Sequence, residues 1–596
     1  MTVPPVAPAV VADVLDALPP RLRKRVDAAL DRAASWAVTA EGDAARAELD
    51  AETTLTWTLR AGVLAAADDL SCTCLLAPKC LHRGIAVAAA EIGAPTDPAG
   101  QADPTDPSVS AATVPTAVPT ADSTSADSDA DLVPVTEEQR AAAGAVWEGC
   151  SAVLRAGASG SGAVVRAGLL RAVHTARVAG LHRAASAGLR VAAALTAART
   201  GDSSFDREAL TAELVDLMLL CHDLRTGIGD PALLRGTARR EYRSIGALRL
   251  HGLCTEPVVS TSGYGGVVTH LVDDSGRLWT VPAVTPGGVE RVAAAASGPV
   301  AVGESGLTHR ALGRAGLLLS GGTASPDHRL GAGKAVRAVA AKPTPWTDDP
   351  LARHWAEPLP DQVHRAFHAH TVPDTHRPAG ADLIFPEGVV LGAAGPALRF
   401  ATPHGDLDLV GHTALVRENL AVLAGAPGLR LRVVARLLPD RPGTVTALAA
   451  SGDLALPDDL AHHVDLGLDR LQRSHVAGGA APDLPARPDP VDRVPAPLRP
   501  LENVLHRITL GGRAVAAAAS ARREVAALRA TGLTATADLL ADLAAASRDR
   551  ERDAFGRVVR DAGEEFPVAW LRAGLHVREF TRASALRTWL VAVGQA

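Results

Sequence analysis

Four side chains near the N-terminus have the types and the spacing of a metal site. The pattern C-x-C-x5-C-x-H is formed by Cys72, Cys74, Cys80 and His82. Side chains two residues apart on a strand point the same way, so Cys72 and Cys74 can face one ion. Two residues of a regular helix turn through about 200°, so Cys80 and His82 require an irregular helix start, which Pro78 favours. Three thiolates and one imidazole form a closed tetrahedral set, which predicts one structural zinc ion.

The elements around these residues are predicted to be a strand, a turn, a second strand and a helix. Residues 54–59 alternate strictly between threonine and apolar side chains, as expected for a strand with one buried face. Asp68 and Asp69 predict a turn before the cysteines, and the Ala-rich residues 79–92 predict a helix. So short a unit lacks a core of its own, and we expect it to require its metal in order to fold.

The motif resembles the SWIM-type zinc finger, in which C-x-C-x(n)-C-x-H lies on a ββα unit. The resemblance covers about residues 50–92, and the stretch SGYGGVVTHLVDDSGRLW further along resembles actinobacterial SWIM-containing proteins of similar size. Membership of that family implies zinc as cofactor and binding to protein or nucleic acid, and it implies no reaction. It also implies an association with MoxR-type ATPases and von Willebrand A proteins.

The segment after the metal motif changes abruptly in composition. Residues 94–136 are rich in Pro, Ser, Thr, Ala and Asp, with seven aspartates and no lysine, arginine or aromatic residue. Such a segment cannot bury enough apolar surface to order itself. We therefore predict a disordered acidic linker that tethers the N-terminal region, residues 1–93, to a larger α+β body.

Helical patterns precede and follow the central part of the chain. Residues 137–240 are predicted to form a helical bundle, which begins at a capping box formed by Thr136 and Gln139. A Pro-rich connector, residues 481–500, precedes a predicted helical C-terminal domain of residues 501–596.

The central residues 241–480 are predicted to be a β-rich body. Alternating apolar runs separated by turn residues suggest two barrel-like parts, 243–341 and 380–450, and an OB-type barrel is one candidate for the first of them. The predicted fold class is therefore multidomain α+β: a ββα zinc-finger module, a helical bundle, a β-barrel-like central region and a helical C-terminal region.

Charge bears on the kind of partner. The chain has a net charge of -6, and residues 1–94 hold nine Lys and Arg against twelve Asp and Glu. Because phosphate binding depends on positive charge, the N-terminal region as a whole is a poor nonspecific nucleic-acid binder. Lys79 and Arg83 could form a small basic tip, or the Ala-rich helix after His82 could present an apolar stripe to a partner. On these residues alone, a protein partner is slightly favoured over nucleic acid.

Two classes of function therefore stay open. The first is a non-enzymatic protein-interaction adaptor or scaffold. The alternative is DNA or other nucleic-acid binding, through the finger or through a barrel face on which Tyr264 and Trp279 could stack bases. His270 lies beside Asp273 and Asp274, but a hairpin turn explains these aspartates better than acid–base chemistry does.

Motifs for catalysis and for membrane insertion are missing from the sequence. It contains no nucleophile elbow, complete phosphate loop or HExxH motif, so we expect no catalytic residue and no enzyme. It has no run of about 18 apolar residues, and we expect a cytoplasmic protein without a membrane partner.

Overall fold

The computed structural model describes most of the chain in two compact units. The described residues are 3–50, 52–93, 133–238, 240–260, 263–331, 336–460, 462–478, 484–487, 494–518, 521–560 and 563–594. Unit 1 takes the described residues within Met1–Asp103, Ser108–Ala238 and Ala496–Glu579, and unit 2 those within Arg239–Pro495 and Phe580–Ala596. The segment 94–136, predicted to be a disordered linker, lies outside the described residues up to residue 132.

The N-terminal region of unit 1 is a small antiparallel sheet with helices. The strands pair in chain order and are β1 (Val38–Glu41), β2 (Ala44–Glu48), β3 (Thr54–Thr58) and β4 (Leu70–Cys72). The helices are α1 (Pro8–Ala17), α2 (Pro20–Val26) and α3 (Leu81–Ala89). Leu55 and Trp57 on β3 are buried, as their alternation with threonines predicts. Helix α1 packs on the helix Ala163–Val178 of the same unit, so the N-terminal region is packed against the helical region that follows it in the chain.

The first helical region has the predicted bundle of antiparallel helices. Its elements are α4 (Glu137–Gly160), α5 (Ala163–Val178), α6 (His182–Thr200), α7 (Arg207–Thr226) and α8 (Pro231–Arg235). The predicted capping box opens α4, where the Thr136 hydroxyl accepts a hydrogen bond from the Gln139 N–H. Gly201 and Gly227 follow the ends of α6 and α7 with positive φ, and Gly180, also with positive φ, lies between α5 and α6.

The first part of unit 2 is a six-stranded sheet. Its strands are β5 (Arg243–Val259), β6 (Tyr264–Asp273), β7 (Leu278–Pro286), β8 (Gly316–Ala324), β9 (Leu330–Gly331) and β10 (Arg337–Ala340). They pair in the order β10-β8-β5-β6-β7, with β9 beside β8. The helices α9 (Arg291–Ser297) and α10 (His309–Leu312) lie between β7 and β8 in the chain.

The second part of unit 2 contains a closed five-stranded barrel. In the chain, the helices α11 (Arg353–Ala356) and α12 (Leu359–Ala369) precede the barrel strands, and α13 (Ala414–Ala424) lies between two of them. The strands are β11 (Leu383–Ile384), β12 (Glu387–Ala394), β13 (Ala397–Thr402), β14 (Gly405–Val410), β15 (Arg430–Leu437), β16 (Thr444–Gly452) and β17 (Val464–Asp465).

The pairing of these strands identifies the type of barrel. The order is β12-β13-β14-β16-β15, and β15 returns to β12, with β14 parallel to β16 and the other pairs antiparallel. With α13 between β14 and β15, this is the Greek-key arrangement of an OB-type barrel. The OB-type barrel, which the sequence suggested for residues 243–341, therefore lies in the second part of the central region.

The C-terminal part of the chain is helical, as predicted. Its helices are α14 (Arg499–Gly511), α15 (Arg513–Ala518), α16 (Arg522–Ala530), α17 (Thr534–Arg548) and α18 (Glu565–Ala592). A short hairpin of β18 (Glu551–Arg552) and β19 (Val558–Arg560), which was not predicted, separates α17 from α18. Within the described ranges, no helix combines the length and the apolar character needed to cross a membrane.

Candidate metal centre

The four predicted ligands lie together in the N-terminal region. One ligand atom from each of Cys72, Cys74, Cys80 and His82 lies within 4.8 Å of all the others, and Cys72 Sγ lies 3.9 Å from His82 Nδ1. In a tetrahedral zinc site, Zn–S bonds of about 2.3 Å and Zn–N bonds of about 2.0 Å place neighbouring ligand atoms roughly 3.5–3.8 Å apart. The group therefore fits a metal ion such as zinc with small side-chain adjustments.

Each ligand is placed by a different piece of local structure. Cys72 is the last residue of β4 and pairs with Leu55 of β3, while Cys74 lies beyond the strand in a turn where the Ala77 N–H donates to its carbonyl. Cys80 is the N-cap of α3, with an extended backbone, and His82 is the second residue of that helix. The irregular helix start predicted from the C-x-H spacing is therefore present.

Burial favours the uncharged form of these ligands when no cation is bound, that is, the protonated thiol and the neutral imidazole. Burial raises the pKa of the Cys72 thiol to about 12 and also raises the pKa of the Cys80 thiol. Burial, together with the nearby Arg32, lowers the pKa of His82. A divalent cation stabilises thiolates and neutral imidazole, so binding would release the thiol protons and should weaken as the pH falls.

Arg83 supports the ligand loop from the inside and does not form a basic tip. Its side chain is buried, and its two terminal nitrogens donate hydrogen bonds of 2.6 Å to the carbonyls of Pro78 and Ala67. Pro78 belongs to the loop between the second and third cysteines, and Ala67 precedes β4. Of the two residues considered for a basic tip, only Lys79 is exposed.

We expect Arg83→Met to weaken zinc binding about 10- to 100-fold, because hydrogen bonds from outside the ligand set hold metal ligands in place. The measurement is competition for zinc with a chromophoric chelator. Lys79→Met removes an exposed positive charge from the same loop and is the matched control, for which we expect unchanged affinity. Equal weakening in both variants would show that charge, and not the two hydrogen bonds, is what matters.

The loop between the second and third cysteines carries two exposed leucines. Leu75 is fully exposed and Leu76 is 62% exposed. Helix α3, by contrast, packs its Ala-rich face against α1 and α2, with Ile85 and Val87 buried. The apolar stripe considered for this helix is therefore internal, and the apolar surface next to the metal group belongs to the loop.

The central residues considered for base stacking and for acid–base chemistry have structural contacts. Trp279 is buried, and its Nε1 donates to Asp273 Oδ2 at 2.9 Å, so it is not part of a stacking surface. Asp273 also accepts from the N–H groups of Ser275 and Arg277, as its predicted place in a hairpin turn implies.

His270 pairs with a residue that the sequence pattern did not indicate. Its Nε2 donates to Glu256 Oε1 at 2.8 Å, and Arg436 donates to both oxygens of the same carboxylate at 2.8 Å. The three residues come from β6, β5 and β15, so the cluster links the six-stranded sheet to the barrel. No local signal marked Arg436, which is one of three arginines on β15.

A cavity of about 670 Å³ lies beside the barrel, between α11, α12 and the strands β12, β13, β15 and β16. Trp355 lies at its aromatic wall and has the Arg432 guanidinium over its ring at 5.6 Å. Arg432 also donates to Glu387 at 2.7 Å, and Arg365 donates to Glu357 at 3.2 Å. The lining carboxylates of Glu387 and Glu357 are therefore engaged in ion pairs within the fold.

No protein-family model matches the chain, and searches of curated proteins and of solved structures give no match. The assignment of a candidate metal centre therefore depends on residue types and geometry. On those grounds the chain carries, near its N-terminus, a Cys3His group that is consistent with a zinc finger.

Proposed function

We propose that the N-terminal region is a SWIM-type zinc module that binds one structural zinc ion and a protein partner, and that the chain acts as a non-enzymatic adaptor. The observation that carries this proposal is the exposed pair Leu75 and Leu76, which lies between the second and third candidate ligands. A closed set of three thiolates and one imidazole leaves no coordination position for a substrate, which supports a structural role for the ion.

Zinc would make the loop between Cys74 and Cys80, which carries Leu75 and Leu76 and is called the leucine loop below, an effective contact surface. Cys74 and Cys80 bracket the loop, so a single ion would fix both of its ends, and Arg83 already fixes Pro78 within it. A loop held in one conformation loses little entropy when it binds a partner. Exposed apolar side chains on such a loop are typical of protein contacts.

Charge supports a protein partner over nucleic acid. The N-terminal region is net acidic, and the guanidinium of Arg83 is committed to two backbone carbonyls. Counterion release, which drives phosphate binding, requires a cluster of accessible cations. The resemblance to SWIM-containing proteins supports a MoxR-type ATPase or a von Willebrand A protein as the partner.

We expect Leu75→Ser/Leu76→Ser to weaken partner binding at least tenfold while the zinc content stays the same, because the change removes apolar contact and no ligand. The measurement is calorimetric titration of the full chain with the purified MoxR-type ATPase and von Willebrand A protein of the same organism. Val178→Ser is the matched control, since Val178 is a 72% exposed aliphatic residue on α5.

The same proteins should be titrated with single-stranded DNA, duplex DNA and RNA across a salt series. Binding to nucleic acid that weakens steeply with salt and is lost in a Cys80→Ser chain would replace the adaptor proposal. Partner binding that survives in the double serine variant would also contradict it, because the leucine loop would then not be the contact surface.

A further inference from the structure

One outward-facing carboxylate of the barrel is almost completely covered. Asp408 on β14 lies opposite Arg399 on β13, and the two side chains are joined by a hydrogen bond of 2.9 Å. Their strand neighbours Phe400, Leu407 and Leu409 point into the barrel core, so by alternation Asp408 points outward. It is nevertheless only 5% exposed. Another part of the chain therefore lies over this face.

Part of that cover is an extended segment of four residues, Leu484–Pro485–Ala486–Arg487. At one end, the Leu484 N–H donates to the Ala393 carbonyl at the end of β12, at 2.8 Å. At the other end, the Arg487 guanidinium donates to the carbonyl of Gly443 at 3.0 Å and to that of Asp406 at 2.6 Å. Arg487 Nε also lies 3.8 Å from Asp408 Oδ2. The segment thus crosses the outer face from β12 to β14.

Two turns of the barrel are shaped to accept this segment. Gly443, in the β15–β16 turn, has a φ of +72°, and a Cβ there would lie 2.1 Å from Arg487 Nη1. Gly395, in the β12–β13 turn, has a φ of +60°, and a Cβ there would lie 3.3 Å from the Ala486 Cβ. At Gly443 the backbone conformation disfavours any other residue, and a side chain there would have to displace the guanidinium.

We propose that this outer face of the barrel is a binding site for an extended, arginine-bearing peptide, and that residues 484–487 occupy it as an intramolecular ligand. The contacts define the class of ligand. Two backbone carbonyls and a carboxylate match the planar fork of a guanidinium, which a single ammonium group cannot reproduce. The carbonyl of Ala393 accepts a backbone N–H of the segment, so the site holds the main chain of the ligand as well as its guanidinium.

The charge of the face excludes a polyanion in the same place. Asp406 and Asp408 are neighbouring outward positions on β14, and Asp408 already has two guanidinium partners, Arg399 and Arg487. A phosphate group placed there would face carboxylate and carbonyl oxygens. The covered face therefore favours a cationic peptide, and this inference is independent of the metal centre and of the proposed adaptor role.

Occupation by the chain itself would regulate access. A segment of the same chain competes at an effective concentration in the millimolar range, far above that of most free peptides. A partner with a similar arginine-bearing segment would bind only when the intramolecular segment is displaced. Arg487 is the residue whose loss should open the site, and it is one-third exposed, so its removal should leave the barrel folded.

The test uses the full chain and a fluorescein-labelled synthetic peptide with the sequence of residues 481–490. We expect the Arg487→Ala chain to bind the peptide at least tenfold more tightly than the wild-type chain, as measured by fluorescence anisotropy. A peptide with alanine in place of its arginine should bind the same variant at least tenfold more weakly. Arg337→Ala, at an exposed position of β10, is the control and should behave as wild type.

A second measurement reports on the intramolecular contact itself. Amide hydrogen exchange at Leu484 should be slow in the wild-type chain and faster in both Arg487→Ala and Arg487→Lys, because lysine keeps the charge and loses the fork. Equal peptide binding by the wild-type and Arg487→Ala chains would overturn the proposal. So would binding that does not depend on the arginine of the peptide, or the absence of binding to a folded Arg487→Ala chain.

Discussion

Replacing Cys80 with serine is expected to release the zinc ion and to unfold the N-terminal sheet. Cys80 is 1% exposed and caps α3, so it links the metal group to the helix that packs on α1 and α2. Structural zinc contributes about 10–16 kcal/mol of binding free energy, and an equal share for each of four ligands is about 2.5–4 kcal/mol. Affinity should therefore fall by roughly 100- to 1000-fold.

The measurement combines zinc content after dialysis against a chelator with amide hydrogen exchange. We expect zinc to fall from about one ion per chain to near zero, and exchange to rise throughout β1–β4 and α3. Helix α5 should also exchange faster, since α1 packs on it, whereas the strands of the barrel should be unaffected. Cys254→Ala, at a buried cysteine of unit 2, is the matched control and should keep its zinc. A Cys80→Ser chain that retains a full equivalent would refute this ligand set.

The metal group could be predicted from the sequence because its determinants are local. All four candidate ligands lie within eleven residues, and both the preceding strand and the following helix have regular apolar patterns. The direction of Arg83 could not be predicted, because its acceptors include Ala67, which is distant in sequence. An arginine that follows a metal ligand in the sequence can be exposed, or it can be buried and hold the ligand loop in place. The sequence does not distinguish the two.

Strand patterns were predicted better than strand partners. The alternating runs around Ala397–Thr402 and Gly405–Val410 are strands, as their apolar periodicity indicates. Closure of the barrel depends on the pairing of β15 with both β12 and β16, which no local pattern encodes. The strands β1 and β2 were not predicted because Ala and Glu, which recur in them, have low strand propensity. They are ordered by pairing, β2 with β3 and β1 with β2.

The helix break at Gly157 also has a cause that the local sequence does not reveal. The sequence GASGSG, residues 157–162, predicts a break in the helical region, and Gly157, near the end of α4, has a φ of +72°. The physical reason lies far along the chain, since a Cβ on Gly157 would lie 2.2 Å from the backbone nitrogen of Gly512. Ser159 also donates to the Leu510 carbonyl at 2.8 Å. A sequence pattern can thus locate a backbone break without revealing the close contact that requires it.

The second large effect is expected at the buried ion cluster of unit 2. Arg436→Met should lower the free energy of unfolding of this region by about 3 kcal/mol, because it leaves the Glu256 carboxylate buried with His270 as its remaining partner. The lower end of the usual 3–5 kcal/mol range applies, since the Arg436 side chain is 33% exposed and water can reach the space it leaves.

Two further variants separate the loss of the pair from the loss of packing. Glu256→Leu should cost less, about 1–2 kcal/mol, because Arg436 keeps its 2.7 Å contact with Asp382 and remains partly solvated. The double variant Glu256→Leu/Arg436→Met should be more stable than the sum of the single losses implies, since the Glu256 carboxylate is then no longer left buried without Arg436. Hydrogen exchange of β5 and β15 is the measurement, because a chain of two units need not unfold in one step.

The pH dependence gives the sharpest test of this ion cluster. Burial alone would raise the pKa of Glu256, but Arg436 and His270 outweigh burial and hold that pKa well below its ordinary value of 4.5. A carboxyl group whose pKa is lowered by folding contributes its stability above its unfolded pKa and loses it as the pH falls toward its folded pKa. The pKa of Asp382 is lowered as well, because the attraction of Arg436 exceeds the opposing effect of burial.

The difference in stability between wild type and Arg436→Met should therefore be greatest near neutral pH and shrink below about pH 4.5. A difference that stays constant from neutral to acid pH would mean that Arg436 acts through packing and not through its charge.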